Sequence, residues 1–299
     1  MKQLLVLSGK GGTGKTTVAA ALIRLAKVYA FADCDVDAPN LHLLMSREEI
    51  PRRTTYYGLP KAVIDQKKCR SCGSCKEHCR FDAVERSGTE FHIRPGDCEG
   101  CGVCARLCPT GAILLQPEPA GELELYQQGK VFSTARLRMG QGTSGRLVTE
   151  VKKQLKRNMG KEKLVVLDGS PGIGCPVIAS LAGVDIVLMV AEPSVSGLSD
   201  MKRLVRSAGQ FQIPMLACIN KYDLNPKRTK EIEAFCQKEG IPLLGGIPFD
   251  AKVIELVNRG MCIADAPCNA GAAVEGIYQK ICKYLVQLDD NAADGNSDK

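Results

Sequence analysis

A glycine-rich segment directly after the first apolar run most constrains how this chain folds. Residues 3–8 have the length and apolar character of a strand, and residues 9–17 read GKGGTGKTT. This fits G-x-x-x-x-G-K-[ST], in which glycines let a loop turn its backbone N–H groups towards phosphate oxygens. A helix predicted to begin at Thr16 places its positive end at the same point. The sequence therefore predicts a nucleotide-phosphate site at the end of a strand.

Side-chain chemistry assigns roles within this loop. Lys15 brings a positive charge to the β- and γ-phosphates, and the Thr16 hydroxyl suits Mg²⁺. The predicted nucleotide contacts in the loop are Gly9, Lys10, Gly11, Gly12, Thr13, Gly14, Lys15, Thr16 and Thr17.

Lys10 adds a second lysine to the loop. The form K-G-G-x-G-K-T-T resembles the variant phosphate loop of the MinD/ParA/Mrp/nitrogenase-iron-protein family of P-loop ATPases. In that family the extra lysine reaches across a dimer interface to the partner's nucleotide. The resemblance implies an ATP-dependent homodimer in which Lys10 acts in trans, with Lys10 and Lys15 both catalytic. A solvated lysine on a loop is the simpler alternative.

Aspartates follow two further predicted strands. The second strand ends in Asp33, with Asp35 and Asp37 after it, and a later apolar strand ends in Asp168. The carboxyl ends of parallel strands are where α/β sheets bind ligands. The first group resembles switch I of MinD-like ATPases, which implies that Asp35 orients the attacking water or Mg²⁺. Asp168 resembles the Walker B aspartate that holds Mg²⁺, and residues 169–172 after it resemble switch II. A turn-forming cluster is the structural alternative for the first group.

Two runs of cysteine interrupt the alternation of strands and helices. Of 15 cysteines, eight lie in two C-x2-C-x2-C-x3-C runs that are offset by 29 residues. The repeat resembles a bacterial ferredoxin with two [4Fe–4S] clusters, in which the fourth cysteine of each run binds the other cluster. The resemblance assigns Cys69, Cys72, Cys75 and Cys108 to a first cluster, and Cys79, Cys98, Cys101 and Cys104 to a second.

Other uses of the cysteines fit less well. A disulfide framework is not expected in a reducing compartment. Zinc ribbons use paired C-x2-C spacing rather than two runs of four cysteines. Cys175 lies seven residues after Asp168, where nitrogenase-type iron proteins carry a ligand of an intersubunit cluster, but the helix preceding Asp168 lacks a second cysteine. A bridging third cluster remains a minor alternative.

The later chain predicts alternating strands and helices. This pattern indicates an α/β fold, a mainly parallel doubly wound P-loop NTPase sheet with an inserted small α+β ferredoxin-like domain. The predicted boundaries are 1–55 and 116–288 for a discontinuous ATPase domain, 56–115 for the insert, and 289–299 for a disordered acidic tail.

A second motif concerns the base of the nucleotide. Asn220 and Asp223 belong to N-K-x-D, which reads guanine in GTPases. MinD-like proteins, however, carry an adenine-reading asparagine near this place, so the resemblance favours ATP, with GTP as the alternative. Pro248 is predicted as a further contact on the side of the base.

Composition limits the partners. A hydrophobic fraction of 44% and a charged fraction of 24%, with no membrane segment or signal peptide, predict a cytoplasmic globular protein without membrane attachment. Residues 127–162 hold nine basic and two acidic residues, which equals the net charge of +7 of the whole chain. A solvated helix face explains this most simply. A docking surface for an acidic redox or client protein is the alternative, and nucleic acid is not the expected partner.

The predicted function combines the two motifs. The cysteine runs fall between the presumed switches, which indicates an ATP-hydrolysing protein that couples nucleotide state to electron transfer through two [4Fe–4S] clusters. One alternative is an Mrp-like iron–sulfur cluster carrier, although that group usually has a C-terminal C-x-x-C and here Cys262 and Cys268 are separated by five residues. Another is a ParA- or MinD-like positioning ATPase with a redox-sensing insert.

Overall fold

The computed structural model of the chain describes residues 1–45 and 49–294. Its strands are β1 (Lys2–Leu7), β2 (Ala30–Asp33), β3 (Arg52–Tyr57), β4 (Lys61–Ile64), β5 (Val84–Ser87), β6 (Glu90–Ile93), β7 (Ile113–Gln116), β8 (Pro119–Tyr126), β9 (Val131–Leu137), β10 (Leu164–Asp168), β11 (Ile186–Ala191), β12 (Met215–Asn220) and β13 (Leu243–Ile247). Its α-helices are α1 (Lys15–Leu25), α2 (Ser74–Glu77), α3 (Val103–Leu107), α4 (Ser144–Asn158), α5 (Cys175–Leu181), α6 (Val195–Gly209), α7 (Pro226–Lys238), α8 (Ala251–Asn258) and α9 (Asn269–Asp294).

A nine-stranded sheet forms the centre of the molecule, in the order β13-β12-β11-β1-β10-β2-β9-β8-β3. The strands from β13 to β9 pair in parallel, and β8 and β3 continue the sheet in antiparallel fashion. The sheet is therefore mostly parallel, with β1 between β10 and β11. This confirms the predicted α/β P-loop NTPase fold.

Helices cover both faces of this sheet because its strands are apolar on both sides. In β1, Leu5 and Leu7 belong to one buried core with side chains of α4 to α7, and Leu4 and Val6 belong to the other with side chains of α1, α8 and α9. Because successive side chains of a strand point to opposite faces, β1 contributes residues to two separate cores. No described helix has both the length and the apolar character needed to cross a lipid bilayer.

The cysteine runs lie outside this sheet. We call residues 58–118 the cysteine segment; it leaves after β3 and returns into β8, two strands that pair with each other. It contains two two-stranded sheets, β4–β7 and β5–β6. Helices α2 and α3 each follow a glycine with positive φ, Gly73 (80°) and Gly102 (76°). The two halves of the sequence repeat therefore form similar elements.

The observed boundaries differ from the predicted ones. Tyr56 and Tyr57 end β3 and belong to the large sheet, whereas Gln116 ends β7 in the cysteine segment. Pairing between β3 and β8 extends the sheet beyond the point where its apolar pattern stops. Residues 289–294 continue α9 rather than forming a disordered tail, and residues 295–299 lie outside the described part of the chain.

Candidate functional site

The phosphate loop lies between β1 and α1. Gly12 and Gly14 have φ values of 79° and 89°, in the left-handed region that favours glycine. A Cβ atom on Gly14 would lie 2.3 Å from the Nδ2 atom of Asn220, and one on Gly9 would lie 2.3 Å from the Cβ of Asp200. These positions have no space for a side chain. The loop therefore has the close backbone packing that a phosphate cradle requires.

Lys15 and Asp168 form a buried ion pair at this loop. The Lys15 Nζ atom lies 2.5 Å from Asp168 Oδ1, and the two side chains are 6% and 0% exposed. Burial lowers the pKa of Lys15, but Asp168 and Asp33 outweigh it, so the pKa is raised and the ammonium stays charged. The β10–β1 pairing brings these two residues, far apart in sequence, to one edge of the sheet.

Asp168 also supports a magnesium site. Its second oxygen, Oδ2, is buried and has no hydrogen-bond partner. Thr16 Oγ1 lies 3.3 Å from the Lys15 ammonium, so its hydroxyl is at the same place. Mg²⁺ prefers carboxylate and hydroxyl oxygens. The donor set therefore fits the metal that the sequence predicts.

The three aspartates after β2 occupy different environments. Asp33 is fully buried and accepts hydrogen bonds from the backbone N–H groups of Asp35, Asn40 and Leu41 at 2.9, 3.0 and 3.0 Å. Burial, together with the nearby Asp168, raises the pKa of Asp33 to about 7. Asp33 thus holds the loop in shape, a role that the sequence reasoning did not assign to it.

Asp35 is partly buried and lies close enough to Lys15 to feel its charge. Burial is the largest effect on its carboxyl and raises its pKa, while the charge of Lys15 opposes this shift. Asp37 is exposed and lies on a separate polar cleft with His42. The role of Asp35 in contact with nucleotide or metal stays a prediction.

Lys10 contacts its own chain in this structure. Its Nζ atom lies 3.2 Å from Glu192 Oε2 and 3.2 Å from Ser194 Oγ. Lys221 approaches the other oxygen of Glu192 at 3.7 Å. The sequence analysis did not identify Glu192; its position one residue after β11, at the carboxyl edge of the sheet, was the available signal. A role of Lys10 across a dimer therefore requires this contact to break.

A pocket beside the loop has the character of a base site. Gly12, Gly14, Asn220 and Pro248 line it together with apolar side chains of α8. Asn220 Nδ2 donates to the Thr13 carbonyl at 2.7 Å. Phe249, next to Pro248, also lines the pocket, and the sequence reasoning missed the lining residues Val253, Ile254, Val257 and Ile263.

Asp223 lies outside this lining. Its carboxylate accepts a hydrogen bond from the Phe249 N–H at 2.7 Å and so positions the loop that carries Pro248. A guanine-reading aspartate has to face the base. The placement of Asp223 therefore weighs against guanine and favours adenine.

The four cysteines predicted for the first cluster line a single cavity. Cys108 joins Cys69, Cys72 and Cys75 there, although it belongs to the other run. Backbone N–H groups point at two of the sulfurs: Ser71 N lies 3.4 Å from Cys69 Sγ, and Ala112 N lies 3.3 Å from Cys108 Sγ. Such N–H···S contacts are typical of thiolate ligands of iron–sulfur clusters.

Three cysteines of the second group pack in the small core of the segment, together with Cys75 and Cys108 of the first group. Cys98 is buried there, Cys79 and Cys104 pack against it, and Cys101 is exposed. Within residues 1–45 and 49–294, no three His, Cys, Asp or Glu side chains converge on one point as ligands of a single ion. A cubane cluster is larger than an ion and holds its cysteines further apart. The four thiols that line the first cavity are therefore not arranged as ligands of a single ion.

Comparison with known proteins identifies the family. Residues 4–263 match the CobQ/CobB/MinD/ParA nucleotide binding domain, which is most of the chain. The protein belongs to the CobQ/CobB/MinD/ParA family. The phosphate loop, the Lys15–Asp168 pair and all but one of the residues that line the base pocket lie within the matched residues. The predicted membership of the MinD/ParA superfamily is thus confirmed.

Similar proteins extend over nearly the whole chain. Uncharacterized protein MJ0578 of Methanocaldococcus jannaschii is 29% identical over 286 residues, covering 95% of this chain and 97% of that protein. An iron-sulfur cluster carrier protein of Pyrococcus horikoshii is 24% identical over 307 residues, covering 96% and 87%. The septum site-determining protein MinD of P. horikoshii, solved with Mg-ADP, superposes with a TM-score of 0.58 at 18% identity, covering 95% and 97%. This last similarity establishes the shared CobQ/CobB/MinD/ParA-type fold.

Proposed function

We propose that this protein hydrolyses ATP and couples its nucleotide state to electron transfer through two [4Fe–4S] clusters held by the cysteine segment. Lys15, Thr16 and Asp168 hold the phosphates and Mg²⁺, and Asp35 orients the attacking water. Lys10 leaves Glu192 and reaches the nucleotide of a second copy of the chain. Bound clusters supply one-electron chemistry, which no side chain of the ATPase region provides.

The observation that carries this proposal is a loop that touches both halves of the molecule. Residues 138–143, which we call the connecting loop, join β9 to α4. At its end the Tyr56 hydroxyl donates to Thr143 Oγ1 at 3.1 Å, where the cysteine segment leaves the sheet. A Cβ on Gly142 would lie 3.8 Å from a carboxylate oxygen of Glu99, the neighbour of Cys98. A Cβ on Gly58, the first residue of the cysteine segment, would lie 3.3 Å from Thr143 Oγ1, so the connecting loop packs on the start of that segment and passes near Glu99.

The other contacts of this region lead to the nucleotide site. Leu137 N, directly before the connecting loop, donates to the Val36 carbonyl at 2.9 Å, within the presumed switch I. Directly after it, Gly145 packs so closely on Cys175 that a Cβ would lie 2.9 Å from the Cys175 carbonyl oxygen. Cys175 begins the helix after the presumed switch II. A movement of either switch would therefore reach the cysteine segment through adjoining contacts.

A hydrogen bond also joins the two presumed switches directly. Ser170 Oγ donates to the Cys34 carbonyl at 2.6 Å, and both groups are buried. The aspartates predicted to sense phosphate, Asp35 and Asp168, lie within two residues of this bond. A change at the γ-phosphate would thus move both switches together.

Coupling of this kind has to be reciprocal, which defines the test. The chain is purified without oxygen and its iron and sulfide are counted, with about eight irons expected for two [4Fe–4S] clusters. ATP hydrolysis and nucleotide affinity are then measured with the clusters oxidised, reduced and removed. We expect different values in the three states. Equal values in all three would disprove the coupling, and an iron-free chain would disprove the clusters.

A second candidate is suggested by similar proteins. The P. horikoshii protein that matches 96% of this chain is named an iron-sulfur cluster carrier protein. On this alternative the chain delivers a cluster instead of an electron. Transfer of iron and sulfide to an apo-ferredoxin, faster with ATP than without it, would support the carrier function. Clusters that stay on the chain through many ATP turnovers would support the electron-transfer function.

A further inference from the structure

A buried lysine distinguishes the two cysteine sites. Lys61, the first residue of β4, is 9% exposed, and its ammonium donates to the backbone carbonyl of Cys98. In the part of the chain that the structure describes, this ammonium has no carboxylate partner within ion-pair distance. A buried charge without a counter-charge is strongly unfavourable. Its position therefore indicates a negative group nearby when the protein is complete.

The surroundings of Lys61 fix it beside the second cysteine group. A Cβ on Gly100 would lie 2.1 Å from the carbonyl oxygen of Pro60, so residues 60 and 61 pack tightly on the loop between Cys98 and Cys101. Ala62 belongs to the same small core as Cys98. The ammonium is therefore held at this loop rather than left to move in solvent.

The equivalent position in the other half of the repeat carries the opposite charge. The offset of 29 residues maps Lys61 onto Glu90, the first residue of β6. Glu90 is exposed, and His92 lies 3.3 Å from its carboxylate. The first cysteine group thus lacks a buried cation at the position where the second group has one.

Resting on the proposed function, we propose that the Lys61 ammonium raises the reduction potential of the second cluster above that of the first. Four thiolates outweigh the positive charge of the cluster core, and reduction makes the assembly more negative. A fixed cation in a low-dielectric environment stabilises this reduced state more than the oxidised one. Because Glu99, the neighbour of Cys98, lies near Gly142, the site of higher potential is also close to the connecting loop.

The test is a redox titration of the cluster-loaded full chain, followed by electron paramagnetic resonance. The unmodified protein should show two separate midpoint potentials. Cys104→Ser, which removes a ligand of the second cluster, should abolish the higher one. A single shared midpoint, or loss of the lower one in Cys104→Ser, would overturn the proposal. Iron and sulfide are counted first: a chain without clusters disproves the proposed function, whereas clusters of equal potential disprove this inference alone.

Substitutions at Lys61 sharpen the test. Lys61→Met and Lys61→Gln should each lower the higher midpoint potential. The equilibrium constant for reduction should fall about tenfold or more, which equals a shift of about 59 mV for a one-electron couple. Lys61→Arg keeps the charge and should keep the midpoint. If the neutral variants lose the second cluster, the separation of midpoints in the unmodified chain decides the question.

Lys76→Met is the matched control. Lys76 also adjoins a predicted cluster ligand, Cys75, but it is exposed, so water screens its charge. We expect both midpoints of this variant to stay close to those of the unmodified protein. A shift as large as that of Lys61→Met would overturn the proposal, because burial would then not be what makes Lys61 effective.

Discussion

The nucleotide-binding region and the cysteine segment are held together in different ways. The large sheet separates two extensive cores of aliphatic and aromatic side chains, which include Phe31 and Phe132 at a ring distance of 4.9 Å. The small core of the cysteine segment contains Ala62, Ala83, Cys98 and Ile113, with further residues, four of them cysteines, packed against it. The first region thus buries far more hydrophobic area than the second.

Because its core is small, the cysteine segment has to gain stability from a source other than hydrophobic burial. Small folds with little core usually depend on disulfides or bound metal. Here the side chains that point inward are themselves candidate cluster ligands. Cluster binding and folding of the segment should therefore be one process, whereas the nucleotide-binding region should fold without iron.

Removal of iron is the strongest test of this comparison. Hydrogen exchange is measured by mass spectrometry on the loaded protein and after chelation. We expect β4 to β7, α2 and α3 to lose most of their protection, while β1, β10 and β11 keep theirs and act as an internal reference. Retained protection in the iron-free cysteine segment would mean that it folds on its own core, and the comparison would fail.

Lys15→Ala tests whether the nucleotide-binding region can be changed without affecting the cysteine segment. Loss of the ammonium removes charge stabilisation at the phosphates, so ATP hydrolysis should fall by about 10²- to 10³-fold. Iron content should not change, because Lys15 is remote in the fold from the cysteine segment. Lys230→Ala, at an exposed lysine of α7, is the control and should leave hydrolysis unchanged. Equal iron loss in Lys15→Ala would show that the two regions do not fold independently.

Cys108→Ser tests the exchange of ligands between the two cysteine runs. Because Cys108 lines the cavity of the first group, we expect only that cluster to be lost and iron to fall from about eight to about four per chain. Cys282→Ser, in α9, should leave iron unchanged. The surviving signal in Cys108→Ser should be the one that Cys104→Ser removes. Loss of the same signal in both variants would show that Cys108 binds the cluster of its own run.

Tyr56→Phe addresses the point where the cysteine segment leaves the sheet and should have the smallest effect. It deletes the hydrogen bond to Thr143, with an expected loss of about 1 kcal/mol in the free energy of unfolding. The ratio of ATP hydrolysis rates in the oxidised and reduced states should move towards one. Tyr57→Phe, at an exposed neighbour, should change neither quantity. An unchanged ratio in Tyr56→Phe would remove this bond from the coupling.

Local patterns predicted the central fold well, and pairing between distant segments explains what they did not predict. The apolar runs that became β1, β10, β11 and β12 are buried on both faces, so hydrophobicity alone identifies them. Strand β3 reads RRTTYY and has little apolar signal; its conformation depends on β8, which lies far away in the sequence. Helices α5 and α8 have only 7 and 8 residues, so each shows about two turns of apolar periodicity and is hard to identify from sequence.

In the candidate site, too, some residues could be predicted from the local sequence and others could not. The phosphate loop was predictable because its glycines and lysines are contiguous, and Asp168 because it ends a strand. The loop-organising role of Asp33, the contact of Glu192 with Lys10 and the bond between Asp223 and Phe249 were not predictable. Each depends on which chain segments meet at the edge of the sheet, and a motif does not carry that information.

The pairing of β3 with β8 has a consequence for the history and engineering of the chain. Tyr57 lies opposite Pro119 in the register, so both ends of the cysteine segment are adjacent, as at the tip of a hairpin. A tight turn is long enough to close this gap. A gene lacking residues 58–118 would thus still encode a continuous sheet, and the same junction provides a place where a different small domain can be inserted.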